Sequence, residues 1–249
     1  MKDRLDNILI DRKIAPTLET ARAMIYAGEV YLGEQISDKP GRVCATDSPI
    51  RVKEKCPYVS RGGLKLEKAL AYFRVSPAGL ICLDVGASSG GFTDCLLQNN
   101  ARSVHAVDVA YGQLAWKIRQ DQRVTVLERF NARNITAKDI NNEPIDLAVM
   151  DVSFISLTTL LPPVSKLFAQ EVSILALIKP QFELPREDIG PGGVVSETSL
   201  HQKAIDKIKV FAEQCGLMSR GTVTSPILGP KGNREFLIHI TSLASSSPR

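Results

Sequence analysis

The sequence predicts an α/β protein, a mostly parallel sheet covered by helices with an antiparallel strand at its end, preceded by a small α+β domain. Three observations predict it. Apolar strand-like runs at residues 80–85, 103–109, 124–127, 145–150 and 172–178 alternate with helix-length amphipathic stretches, the pattern of a parallel sheet buried on both faces. The glycine-rich segment Asp84-Val-Gly-Ala-Ser-Ser-Gly-Gly-Phe-Thr93 separates the first run from a helical pattern, which gives strand, tight turn, helix. After a helix-like stretch at 199–215, runs at 218–223 and 236–240 flank a Pro/Gly-containing loop, as two antiparallel strands do.

The elements before the sheet have a different character. Leu5, Ile8 and Leu9 recur at helical spacing, and the run is expected to stop at Ile14-Ala-Pro16 because proline cannot continue a helix. Thr17 offers an N-cap hydroxyl to a second helix that ends at Gly28, a residue type suited to the left-handed exit. Val30-Tyr-Leu, Gly33 and Pro49-Ile-Arg-Val-Lys supply strand and turn signals. This divides the chain into a domain at 1–56, a linker at 57–64 and a second domain at 65–245. The paired glycines of Arg61-Gly-Gly-Leu interrupt periodicity at the junction, where Gly63 is expected to add flexibility that an alanine would withhold. The tail Ser245-Ser-Ser-Pro-Arg is expected to fray.

Composition bounds the function. The chain has 249 residues, 44% of them hydrophobic, enough for a sizeable core and too apolar for global disorder. A net charge of +4 permits a polyanionic partner without demanding one. The five cysteines form no C-x-x-C pair and only three histidines are present, so no metal site is expected. An odd number of cysteines fits reduced thiols, the N-terminus lacks a signal-peptide pattern, and no run approaches the roughly 18 apolar residues of a membrane span. A cytoplasmic location follows as the expectation.

In an open α/β sheet, ligands bind beyond the carboxyl ends of the strands, so residues that close different strands converge on one crevice. Gly86, Gly90 and Gly91 allow a sharp turn and close approach of backbone to a ligand. Their spacing departs from the dinucleotide and triphosphate loops, which favours a ligand without a pyrophosphate. Asp108 closes the next strand about 20 residues on, where a carboxylate accepts hydrogen bonds from ribose hydroxyls. This order resembles the S-adenosylmethionine site of class I methyltransferases, with hydride transfer as the weaker alternative. The resemblance implies cofactor contacts at Asp84, near the methionine moiety, at Gly86, Ser88, Gly90, Gly91, Phe92 and Asp108, and at Asn131 for the adenine edge.

Four charged residues stand at the edges of apolar runs: Lys65, Asp151, Lys179 and Glu235. Taken with the loop, they resemble the Lys-Asp-Lys-Glu tetrad of the FtsJ-like 2′-O-ribose methyltransferases. Arg4-Leu-Asp-Asn-Ile-Leu, Ala21-Arg-Ala-Met-Ile-Tyr-Ala-Gly-Glu-Val and Gly33 are similar to the alpha-L RNA-binding motif. With Tyr58-Val-Ser-Arg-Gly-Gly-Leu-Lys-Leu, Asp151-Val-Ser-Phe-Ile-Ser and Leu177-Ile-Lys-Pro-Gln-Phe-Glu, nearly the whole chain resembles the TlyA family. That resemblance implies a Rossmann-like class I methyltransferase sheet with an N-terminal RNA-binding domain, and S-adenosylmethionine-dependent 2′-O-methylation of cytidine in ribosomal RNA or ribosomal subunits. A ribose hydroxyl is a poor nucleophile at neutral pH and needs a base or strong orientation. Lys179 is the first choice, because burial and the positive charge of Lys65 and the sulfonium favour a neutral amine, although the sequence leaves open which of the two lysines is deprotonated. Asp151 and Glu235 would hold the lysines.

Lys2, Arg4, Arg12 and Arg22 lie in or beside the first two helices and, with Arg61, are expected to form a phosphate-contacting stripe. Two other classes compete. The haemolysin label of the family suggests a membrane-active cytolysin, which the lack of a basic amphipathic or apolar spanning segment disfavours. A non-catalytic RNA-binding ribosome-assembly protein would keep the fold without chemistry, which the complete tetrad disfavours.

Overall fold

The computed structural model describes residues 1–53 and 56–243, so the expected fraying of the tail and the boundary at 245 lie outside the described residues. The chain divides into two compact units, Met1–Cys56 and Pro57–Arg249.

In the first unit, β1 (Lys2–Arg4) pairs antiparallel with β4 (Val43–Ala45), and β2 (Val30–Leu32) lies between β3 (Gln35–Ile36) and β5 (Ile50–Val52). Helices α1 (Leu5–Asp11) and α2 (Leu18–Tyr26) close over a small core of Leu5, Leu9, Ala15, Ala21, Ile25 and Val30. The Thr17 hydroxyl accepts from the Thr20 amide at 3.2 Å, and Gly28 takes φ +66° beyond α2, as their residue types require. The first helix ends before the proline. Lys13 turns left-handed at φ 57° and the Ile14 amide closes back on the Leu9 carbonyl at 2.8 Å, so a local turn stops α1 and Pro16 only follows it.

In the second unit, α3 (Gly62–Phe73) precedes β6 (Ile81–Val85), α4 (Gly91–Gln98), β7 (Ser103–Val107), α5 (Trp116–Arg119), β8 (Val124–Leu127), β9 (Leu147–Met150), α6 (Leu161–Ser165), β10 (Ser173–Ile178), α7 (Pro180–Glu183), α8 (Thr198–Gln214), β11 (Leu217–Thr224) and β12 (Phe236–Ser242). The sheet order is β11-β12-β10-β9-β6-β7-β8, and β12 alone runs against its neighbours. Alternate strand residues feed two cores. Leu83, Val85, Met150, Ile174 and Ile178 face α6 and α8, while Cys82, Val149, Leu175 and Leu177 face α3, α4 and α5. Burial on both faces explains why these strands read as continuous apolar runs. Chain order reverses between β6 and β9, which puts the switch-point crevice where the glycine loop and Asp151 leave the sheet.

The flexible junction expected at Gly63 is not what the structure has. Gly62 and Gly63 are the first residues of α3, Gly63 is buried, and a Cβ on it would run into the Tyr58 ring. The glycine is there for packing. Helix α3 thus begins inside the segment expected to be linker.

Candidate functional site

The glycine loop leaves β6 with Gly86 at φ +85° and Gly90 at φ +92°, conformations that side chains with a Cβ rarely adopt. Each glycine also faces protein. A Cβ on Gly86 would lie 2.5 Å from the Asp151 carbonyl oxygen, one on Gly90 2.9 Å from Leu114, and one on Gly91 would strike the Ser60 hydroxyl. The loop therefore needs glycine to pack on its own scaffold, a reason that spacing does not reveal. Asp84, fully buried, accepts from the Thr93 hydroxyl at 2.6 Å and so ties the end of β6 to the first turn of α4. Its other oxygen has no hydrogen-bond partner, and burial pushes the carboxyl up to about 7. Phe92, at α4's first turn, packs into the core beneath the loop.

A cavity of about 320 Å³ opens beside this loop. Gly86, Ser88, Asp108 and Asn131 supply its polar wall, and Val107, Phe130, Val152 and Leu160 are among its apolar residues. The Asp108 carboxylate accepts the Ser88 amide at 2.7 Å and the Ala110 amide at 2.8 Å, which fixes its orientation and leaves lone pairs for further donors. Ser88 is held in the left-handed region at φ 49°. The Asn131 side-chain oxygen accepts from the Arg133 amide at 3.1 Å, so its NH₂ remains as donor to a ligand edge. An apolar slot for a flat base with an anchored carboxylate at its rim fits an adenosine, and the unpartnered Asp84 oxygen marks a buried acceptor under the loop. Asp84 itself lines neither this cavity nor the next.

The second cavity, about 430 Å³, shares Gly86, Ser88, Asp151 and Ser153 with the first, so the two meet there. Three of the four charges found in the sequence, Lys65, Asp151 and Lys179, line it, and the fully buried Glu235 lies behind Lys65. Lys65, in the first turns of α3, places Nζ 2.6 Å from Glu235 Oε2 and 3.8 Å from Asp151 Oδ2. Lys179, closing β10, places Nζ 2.6 Å from Asp151 Oδ1 and donates to the Ser153 hydroxyl at 3.0 Å. The result is a continuous chain, Glu235, Lys65, Asp151, Lys179. Lys65, Lys179 and Glu235 are buried, while Asp151 keeps 18% of its side chain exposed at the junction of the cavities.

Sequence reasoning missed Ser153, which carries no charge and sits in a loop. It also missed Gly229, where a Cβ would collide with the Glu235 carboxylate. Nothing in the local pattern distinguishes that glycine from an ordinary turn residue.

Arg4, Arg12 and Arg22 of the first unit have protein partners. Arg4 and Arg22 both pair with the buried Asp6 carboxylate, at 2.8 and 3.1 Å, and Arg12 donates to the Ser48 carbonyl at 2.8 Å and to the Thr46 carbonyl. The Arg4 hydrogen bonds above all hold the Asp6 carboxyl down at about 2. Lys2 is exposed on β1, and Arg61 is exposed at the mouth of the larger cavity. Among the described residues no cluster of His, Cys, Asp and Glu is placed to hold a metal ion, and no helix is long and apolar enough to cross a membrane.

A sheet of this order, with a glycine loop at the switch point, is the architecture of the S-adenosylmethionine-dependent methyltransferases. The FtsJ-like methyltransferase description matches residues 58–242. A Bacillus subtilis protein designated an rRNA methyltransferase, YqxC, is 47% identical over 240 residues, 96% of this chain and 85% of that one. The 16S/23S rRNA (cytidine-2′-O)-methyltransferase TlyA of Mycobacterium tuberculosis is 41% identical over 237 residues, 94% of this chain and 88% of that one. A solved structure from Streptococcus thermophilus with a hemolysin designation is 43% identical, covers 98% of this chain and 90% of its own, and superposes with a TM-score of 0.76. The chain belongs to the FtsJ-like methyltransferase family, among the TlyA proteins.

Proposed function

We propose that this chain transfers a methyl group from S-adenosylmethionine to the 2′-hydroxyl of a cytidine in ribosomal RNA. The observation that carries the reading is the position of the Asp151–Lys179 pair where the two cavities meet. A cofactor in the smaller cavity and a ribose in the larger one would face each other across it.

When bound, S-adenosylmethionine supplies an electrophilic methyl on a sulfonium. Asp108 and Asn131 would hold its adenosine, and Gly86 and Ser88 line both cavities where they join. As a neutral amine, Lys179 would direct the ribose oxygen at the methyl carbon and take the hydroxyl proton as the O–C bond forms and the methyl's bond to sulfur breaks. Asp151 and Ser153 fix the lysine in that position from two directions. Glu235 fixes Lys65, which adds positive charge beside the developing oxyanion. The first domain, residues 1–56, is the RNA-binding part: Lys2 and the half-exposed faces of Arg4 and Arg22 contact phosphates, with Arg12 bracing the fold and Arg61 at the cavity mouth. The 2′-hydroxyl selects RNA over DNA.

The test is transfer of labelled methyl from S-adenosylmethionine to ribosomal subunits and to extracted ribosomal RNA, followed by mapping of the modified nucleotide. Label on a cytidine 2′-oxygen is expected. Cofactor binding without transfer to any ribosomal substrate would point to the non-catalytic assembly protein instead.

A further inference from the structure

Glu183 is a buried carboxylate that the mechanism above does not use. It stands four residues beyond Lys179, at the end of α7, and both its oxygens point at the loop that leaves β9. Oε2 accepts from the Ser156 hydroxyl at 2.5 Å and Oε1 from the Leu157 amide at 2.8 Å. Lys207 of α8 balances the charge at 3.4 Å. The loop it grips is the one that runs from Asp151 through Ser153.

That loop is strained. Phe154 is held at φ 64°, a conformation unfavourable for a bulky aromatic residue, and its ring is 90% exposed, so its own burial does not hold it there. A strained residue persists only where its surroundings over-determine the backbone. Here the bonds from Ser156 and Leu157 to Glu183 fix the loop on one side, and the Asp151 amide, bonded to the Val85 carbonyl at 3.0 Å, fixes it on the other. The Phe154 ring lies beside that of Phe182, next to Glu183, with 5.0 Å between centroids and the planes tilted. Between these fixed ends lies Ser153, whose hydroxyl holds Lys179 at 3.0 Å. Glu183 therefore closes a circuit: the turn after β10 carries both the lysine and the carboxylate that sets the loop holding that lysine.

We propose that Glu183 is a positioning residue for methyl transfer, acting through Ser156, Leu157 and Ser153 on the direction of the Lys179 amine. The inference rests on the role given to Lys179. Misplacement of a reacting group by about 1 Å can lower a rate by about a hundredfold, so loosening this loop should be visible in the chemical step.

The experiment uses full-length Glu183→Ala, Glu183→Gln, Ser156→Ala, Ser153→Ala and the Glu183→Ala/Ser153→Ala double variant. Single-turnover methyl transfer to ribosomal subunits is measured at saturating cofactor, beside cofactor affinity and thermal melting. Glu183→Ala is expected to lower the transfer rate by about tenfold or more, with cofactor affinity and RNA half-saturation within about threefold. Glu183→Gln keeps an acceptor for Leu157 and a partner for Ser156, and should recover the rate to within about threefold. Ser156→Ala should show a smaller loss, and Ser153→Ala should add little in the Glu183→Ala background, because both act through one path. A Glu183→Ala rate within twofold of wild type, or fully multiplicative effects in the double variant, overturns the proposal. If Glu183→Ala does not fold, an unchanged rate in Ser156→Ala overturns it equally. Wild-type protein that transfers no methyl would defeat the proposed function itself, an outcome distinct from active wild type with unaffected variants.

Discussion

Lys65 and Glu235, 170 residues apart in sequence, meet at 2.6 Å in the interior, and the carboxylate side of that pair is fully buried. A buried pair of this kind is weak evidence of stabilisation, because taking two charges out of water offsets most of their attraction. What it does is fix geometry. Lys65 also reaches Asp151 at 3.8 Å, so the pair sets one end of the charge chain that finishes at Lys179.

Removing Glu235 should therefore be felt in both stability and rate. Glu235→Ala leaves the buried Lys65 ammonium with only its longer contact to Asp151, and about 3 kcal/mol of stability should be lost. Chemical denaturation of the variant beside wild type checks this. A change below about 0.5 kcal/mol would show that Lys65 finds another partner.

Lys179→Ala should lower single-turnover methyl transfer by about 10²–10⁴-fold, the usual range for a proton acceptor in the transition state. Cofactor affinity, measured by calorimetry, should stay within a few-fold, because the lysine touches the second cavity and not the adenosine slot. Near wild-type turnover would remove Lys179 from the mechanism.

Asp108→Ala should weaken cofactor binding by about 1–3 kcal/mol. Part of that loss arises inside the protein, since the Ser88 and Ala110 amides lose their shared acceptor. Asp108→Asn keeps one acceptor oxygen and should fall between the two. An unchanged dissociation constant in Asp108→Ala would place the ribose elsewhere.

Asp84 makes stability depend on pH. Its carboxyl lies at about 7 in the fold, above the value near 4 of an exposed aspartate, so the fold prefers its protonated form. Its contribution is fully present below about pH 4 and is lost as pH rises through 7. The span is at most about 4 kcal/mol. Asp84→Asn should remove this slope while keeping an acceptor for the Thr93 hydroxyl. Urea denaturation at pH 5 and pH 8 measures it, and parallel pH profiles for wild type and variant would contradict the prediction.

Binding to ribosomal RNA should weaken with salt, and Lys2→Ala or Arg61→Ala should each make the slope shallower by about 0.7–0.9. Arg4→Ala is a poorer probe, because it also strips the Asp6 carboxyl of its strongest partner. A slope unchanged in both Lys2→Ala and Arg61→Ala would mean that neither side chain meets a phosphate.

The sequence by itself determined the strands of the sheet, the reversed last strand, the glycine loop with Asp108 after it, and the four charges that the fold joins in one chain of contacts. These are legible because apolar periodicity, glycine and strand-end charge are properties of short segments, and because an open parallel sheet brings strand ends together whatever separates them in sequence. The end of α1 and the use of Gly63 were not, since one depends on a left-handed turn at Lys13 and the other on the Tyr58 ring. Only the tertiary structure decided which charge touches which: Lys179 on Asp151, Lys65 on Glu235, Arg4 and Arg22 on Asp6, Glu183 on the loop of Ser156. Such pairings depend on sheet order, helix placement and the exclusion of water from each carboxylate, quantities that are set when distant segments pack and that no single segment carries.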